Sequence, residues 1–306
     1  MILKSLTNGI EILTNETSHL IYSIAPAVGG KIVSIYNKHL KKEFLWHNQQ
    51  LSLETQQKGA DYDSNFYGGI DELIPNDLIE TIDSITFPDH GELWTTPLQY
   101  EEGDEKIKVH GKLELSGLYY SKTIYPDPNA PILYLDYKIT NECDLERNFL
   151  WKLHAALNIE QGDQLVTGAK FGQVVDPAYS RFKENDPFSW PIIEGKDASK
   201  IPVKTDTMDF FYLYGGLKGE MSLVTRDENS LFSYCYDAKI FPYQWYFASY
   251  GGFLDHYTAI LEPCTSMPMS VNEAKEKGQC TVLQPGDSLQ TSVRIYAGEK
   301  TITFNK

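Results

Sequence analysis

Between Asn148 and Asn158 the side chains alternate between two chemistries, and no other segment constrains the fold as strongly. Phe149, Trp151, Leu153, Ala155 and Leu157 share one face, while Asn148, Leu150, Lys152, His154, Ala156 and Asn158 share the other. A period of two is the signature of a strand with one face on a core. The second face sets Lys, His and Asn among small apolar residues, which suits the floor of a polar ligand site better than bulk water. A second strand reads similarly: Tyr257, Ala259 and Leu261 face one way, and Thr258, Ile260 and Glu262 the other. Pro263 ends it, because proline has no N–H for a sheet ladder. A histidine and a carboxylate, each on a rigid strand, make a candidate general acid–base pair.

Strand signals dominate the rest of the chain. Leu20–Ile24 and Lys31–Tyr36 flank Val28-Gly29-Gly30 as a predicted hairpin. A meander is expected over Lys112–Leu115, Tyr119–Tyr125, Ile132–Thr140 and Asn148–Ile159, with further strands from Phe210 to Tyr296. Asn272 to Lys277 predicts one short helix, and Ile70 to Leu73 reads as a turn. Two irregular regions, Tyr62 to Leu93 and Phe171 to Met208, are long enough to be functional loops or to conceal strands. No linker, charge block or internal repeat divides the chain. Many strands with almost no helix predict an all-β fold, a large twisted β-sandwich forming a single domain over residues 1–306.

The net charge of −15 argues against nucleic acid or an anionic membrane as partner. Arg147, Arg181, Arg226 and Arg294 are the only arginines, so a neutral ligand is simpler to expect than a phosphorylated one. The 13% of aromatic residues suits sheet packing and, equally, stacking on sugar rings. Cys143, Cys235, Cys264 and Cys280 lack metal-ligand spacing and read as free thiols. Neither a signal peptide nor a membrane-length apolar run is evident, so a cytoplasmic protein is expected.

Four segments, in order, resemble the aldose 1-epimerase or galactose mutarotase-like superfamily. They are Asp89-His90-Gly91-Glu92-Leu93-Trp94, then Trp151-Lys152-Leu153-His154 with Asn158, then Asp209-Phe210-Phe211-Tyr212-Leu213, and Ala259-Ile260-Leu261-Glu262-Pro263 followed by Leu283-Gln284-Pro285-Gly286-Asp287. The resemblance implies a mutarotase-like supersandwich with a sugar on a concave sheet face. It implies His154 as general acid, Glu262 as general base, and His90 and Asp209 as hydroxyl-binding groups. The family's sugar-binding arginine upstream of the first histidine is absent, since no arginine precedes Arg147. Lys152 is the expected substitute, and Trp245 a candidate stacking platform.

Each candidate also has a plainer reading: a satisfied strand histidine for His154, a strand-end carboxylate for Glu262, turn residues for His90 and Asp209, a solvent-reaching chain for Lys152 and a core indole for Trp245. The expected activity is interconversion of sugar anomers by acid–base ring opening and closure, on a monosaccharide or small carbohydrate, by a monomer or homodimer. It calls for no cofactor and no metal. The alternatives are a non-catalytic carbohydrate-binding protein of the same fold, or an epimerase for a modified sugar.

Overall fold

Strand parity explains the architecture of the computed structural model, which describes residues 2–300. Leu153, Ala155 and Leu157, with Ala259 and Leu261, enter one large core shared by two antiparallel sheets. The larger sheet has 12 strands. Its middle runs, in spatial order, Lys31–Asn37, Ile70–Leu73, Lys152–Asn158, Tyr257–Cys264, Tyr243–Tyr250 and Met208–Tyr214. The second sheet has 8 strands, with Ser288–Glu299, Ile132–Asn141 and Leu118–Pro126 at its centre. Leu133, Leu135, Ile124, Val293 and Ile295 carry its side of the core. The architecture is the expected all-β sandwich, and the one α-helix among the described residues, Val271–Glu276, lies where the sequence places it.

Three local expectations are revised. Ile70–Leu73 is a fully buried strand rather than a turn, pairing with the His154 strand on one side and Lys31–Asn37 on the other. The approach to it needs Gly68 and Gly69 at φ 96° and 79°, because a Cβ on Gly68 would lie 2.1 Å from the Trp46 carbonyl oxygen. The predicted strand over Asn148–Ile159 is two strands. Arg147–Phe149 pairs with Thr281–Leu283, and Lys152–Asn158 joins the large sheet. The chain around Lys112–Leu115 is displaced: the strand is Ile107–Lys112, and residues 113–117 turn through Gly117 into Leu118–Pro126. In each case tertiary pairing sets the ends that local pattern cannot.

Candidate active site

Lys152, His154 and Ala156 project from the His154 strand on the face turned away from the second sheet. Thr258, Ile260 and Glu262 project beside them from the neighbouring strand, since Ala156 is paired with Ile260. Phe247 and Phe210 extend the row, being cross-strand partners of Ile260 and of each other. Loops close the space above, bringing Tyr62, Asp63, Phe66, Asp77, Asp89 and His90 over the sheet. The result is a cavity of about 330 Å³, lined among others by His90, Lys152, His154 and Glu262. That volume is in the range of small-molecule sites.

Lys152 is neither solvent-reaching nor free to hold a ligand by itself. Its ammonium lies 2.6 Å from Asp77 Oδ1 and 2.7 Å from Glu262 Oε2, and 4.5 Å from the centre of the Trp245 ring. Only 3% of the side chain is exposed. Burial opposes its charge, but Asp77 and Glu262 outweigh burial and hold its pKa above the ordinary lysine value. Asp77 is held below the usual carboxylate range because Lys152 and His90 outweigh the cost of burying it. Glu262 goes the other way: burial raises it, and Lys152 offsets only part of that rise. A carboxylate lifted toward neutrality is a better base than an exposed one.

His154 stands opposite Asp71 in the ladder and is 4% exposed. Its Nδ1 lies 3.3 Å from the Tyr62 hydroxyl oxygen, which donates to Asp71 Oδ2 at 3.0 Å. Lys31 completes the set, 2.5 Å from the same Asp71 oxygen. Burial, followed by the positive charges of Lys152, His90 and Lys31, pushes the His154 pKa well below 6.5. His90 shifts upward, because Asp77 and Asp89 outweigh its burial. It lies flat on Tyr62, with ring centres 4.1 Å apart. Its backbone has φ 56°, and at the following Gly91 a Cβ would fall 2.2 Å from the Ile74 carbonyl oxygen. His90 is thus a turn residue that also lines the cavity.

Two sequence candidates lie elsewhere. Asp209 points into the inter-sheet core beside Phe211, and its carboxylate is taken by Arg181 at 2.6 and 2.9 Å and by the Tyr250 hydroxyl at 3.1 Å. Phe210 holds the cavity-facing position of that segment instead. Trp245 is on the cavity-facing side of its strand, paired with Glu262, but is wholly buried beneath Lys152 and donates its indole N–H to Ser266 O at 2.9 Å. It supports the ion pair and is not a ligand platform. Sequence reading omits Tyr62, Asp77 and Lys31, whose roles depend on contacts across 40 residues in the case of Lys31–Asp71.

Among the described residues, Asp63, Asp89 and His90 offer three ligand atoms within 4.8 Å of one another, close enough for a metal ion. Sequence spacing cannot show this set, because loop folding brings Asp63 to the other two. Asp63 is partly buried at the cavity wall and Asp89 already faces His90 Nδ1 at 3.0 Å, so the grouping reads as a local charge pairing.

The full-length match to solved structures decides the fold. It covers 98% of this chain and 98% of a galactose mutarotase-like protein from Clostridium acetobutylicum, at TM-score 0.70 and 14% identity. The fold is galactose mutarotase-like. A galactose mutarotase-like protein from Lactobacillus casei aligns at TM-score 0.67 and 16% identity, over 94% of this chain and 99% of its own. A galactose mutarotase related enzyme from Lactobacillus acidophilus aligns at 0.68 and 14%, over 94% and 97%. No family model and no curated protein matches the chain. In this mutarotase-like frame, the cavity lies against the middle strands of the larger sheet. Among the described residues, no helix is long and apolar enough to cross a membrane.

Proposed function

We propose that the protein is an aldose 1-epimerase-type isomerase acting on an unphosphorylated sugar. The observation that supports this most is the delivery of His154 and Glu262 by adjacent strands into one cavity. Lys152 takes Glu262 Oε2 and leaves Oε1 without a protein partner among the described residues. Glu262 removes the hydrogen from the anomeric hydroxyl, the O1 electrons form the aldehyde carbonyl, and the C1–O5 bond breaks. His154, entering the step as the imidazolium, delivers a proton to O5 and is left neutral. Rotation about C1–C2 and the reverse transfers close the other anomer. Charge and atoms balance without an oxidant or a second substrate. General acid–base assistance of about 10² to 10⁴-fold is adequate for a reaction that already proceeds in water.

The cavity's charge supports the substrate class. Asp63, Asp77, Asp89, Asp176 and Glu262 line it against a single lysine and no arginine. A phosphate ester would meet carboxylates without the guanidinium fork that usually receives it. Aromatic walls from Tyr179, Phe210 and Phe247 suit the C–H face of a pyranose. A binding-only role is the second reading, favoured by Lys152 occupying both Asp77 and Glu262.

Polarimetry of freshly dissolved aldoses and their 6-phosphates tests the proposal. Accelerated mutarotation of at least one free aldose, with no acceleration of the phosphates, is expected. Saturable sugar binding with spontaneous rates across the panel would replace the enzyme with the binding protein.

A further inference from the structure

We infer that Tyr62 is a positioning residue that fixes a hydrogen on Nδ1 of His154 and confines proton exchange with a ligand to Nε2. The kinetic consequence rests on the isomerase reading; the tautomer itself does not.

The direction of the hydrogen bonds is set by what each group can donate. Lys31 donates to Asp71 Oδ2 at 2.5 Å and to the Gly68 carbonyl at 2.9 Å. An ion-paired carboxylate only accepts. The contact at 3.0 Å therefore consumes the single hydrogen of the Tyr62 hydroxyl. Burial, reinforced by Asp71, keeps the Tyr62 pKa well above 10, so the phenol holds that hydrogen. Its oxygen then has only lone pairs to offer His154 Nδ1, 3.3 Å away. Two acceptors facing each other in a buried site would leave both unsatisfied, so Nδ1 carries the hydrogen.

The ring has little freedom to escape this arrangement. Tyr62 and Phe66 meet it edge-on, with ring centres 5.8 and 5.5 Å away. Among the described residues, no protein group bonds Nε2, and the residue lines the cavity. When Nε2 gains or loses a proton, the Nδ1–H bond to Tyr62 persists in both states. Proton transfer then requires no rearrangement behind the ring, which is the economy of a preorganised site. Around the imidazole, Lys152, His90 and Lys31 oppose its protonation, whereas a hydrogen bond to its own backbone favours it; the carboxylates that face it are Glu262 across the cavity and Asp71 behind Tyr62.

Long-range ¹H–¹⁵N correlation on the labelled, unliganded full chain tests this directly. Wild-type His154 in its neutral form should show a protonated Nδ1 and an unprotonated Nε2. Tyr62→Phe keeps the ring that stacks on His90 but removes both hydroxyl contacts, and should yield a mixture of tautomers. For the aldose found active, kcat should fall about tenfold, the worth of one hydrogen bond of about 1.4 kcal/mol, with KM within about twofold. The basic limb of the pH profile should move to lower pH, because the imidazolium loses its acceptor. A wild-type Nε2–H tautomer would overturn the inference. So would a folded Tyr62→Phe that leaves tautomer and pH limb unmoved. The NMR arm needs no turnover, so it decides the role of Tyr62 even for a protein inert toward every aldose.

Discussion

Asp71 and Glu72 are adjacent on one strand, face opposite sides of the sheet, and are built into nearly the same constellation. Lys31 bonds Asp71 and the Gly68 carbonyl; Lys122 bonds Glu72 and the Gly30 carbonyl. Tyr62 donates to Asp71, and Tyr137 donates to Glu72 at 2.7 Å. The sets differ in what lies beyond. Glu72 and Lys122 have no side-chain exposure, and Tyr137 packs against the buried Trp151. Beyond Tyr62 stands His154, an ionisable ring on a cavity. A buried lysine–carboxylate–tyrosine set is therefore not in itself a mark of function. It becomes part of a site when its last member touches a group that can exchange protons with a ligand.

The largest expected effect separates the two sets by rate. Glu262→Gln and His154→Asn should each lower catalysed mutarotation by about 10² to 10⁴-fold, with ligand affinity changed far less. The double variant should fall well short of the product of the two losses. Polarimetry after subtraction of spontaneous mutarotation measures this. Near-native turnover by a folded Glu262→Gln would move the base elsewhere in the cavity, with Asp77 the nearest alternative. The sealed set should fail through stability instead. Lys122→Met leaves Glu72 as an uncompensated buried charge and should cost about 3–5 kcal/mol in chemical denaturation. A loss below about 1 kcal/mol would show that the Glu72 pair is not sealed and would erase the contrast.

A smaller effect appears in pH dependence. His154 is depressed below 6.5 and His90 raised above it, so their NMR titrations should separate in those directions. If His154 donates to O5, the basic limb of kcat/KM should lie below about pH 6.5, where the unperturbed imidazole titrates. A limb above that value would make His90 the donor. The same shifts have stability consequences of opposite sign. The unfolded His154 binds a proton that the folded one refuses, so stability is lost as pH falls below about 6.5 toward the folded value. His90 contributes stability at low pH that is lost as pH rises through its folded value.

Much of the site was legible because strands have a strict period. The parity of Lys152 with His154 and of Thr258 with Glu262 is visible in sequence, and the structure puts all four on the cavity. Parity alone does not say which face is the cavity. In Asp209-Phe210-Phe211-Tyr212-Leu213 both faces are largely apolar, and the polar Asp209 turns out to be on the core side, where Arg181 meets it. Ile70–Leu73 hid as a strand because all four residues are buried, so acidic side chains occupy both faces. Tyr62, Asp77 and His90 come from loops without a period. Their roles exist only through contacts with Asp71, Lys152 and each other.

Trp245 gives the cavity an optical gauge of its own. Its indole lies 4.5 Å from the Lys152 ammonium, and its N–H is anchored to the Ser266 carbonyl. Indole emission responds to the electric field across the ring, and that field changes when Glu262 gains a proton or a ligand draws Lys152 away. Trp245 is one of 5 tryptophans, so the difference spectrum against Trp245→Phe isolates its light. Ligand occupancy and the charge state of the pair can thus be followed without a label, on a residue whose burial keeps it out of contact with whatever fills the cavity.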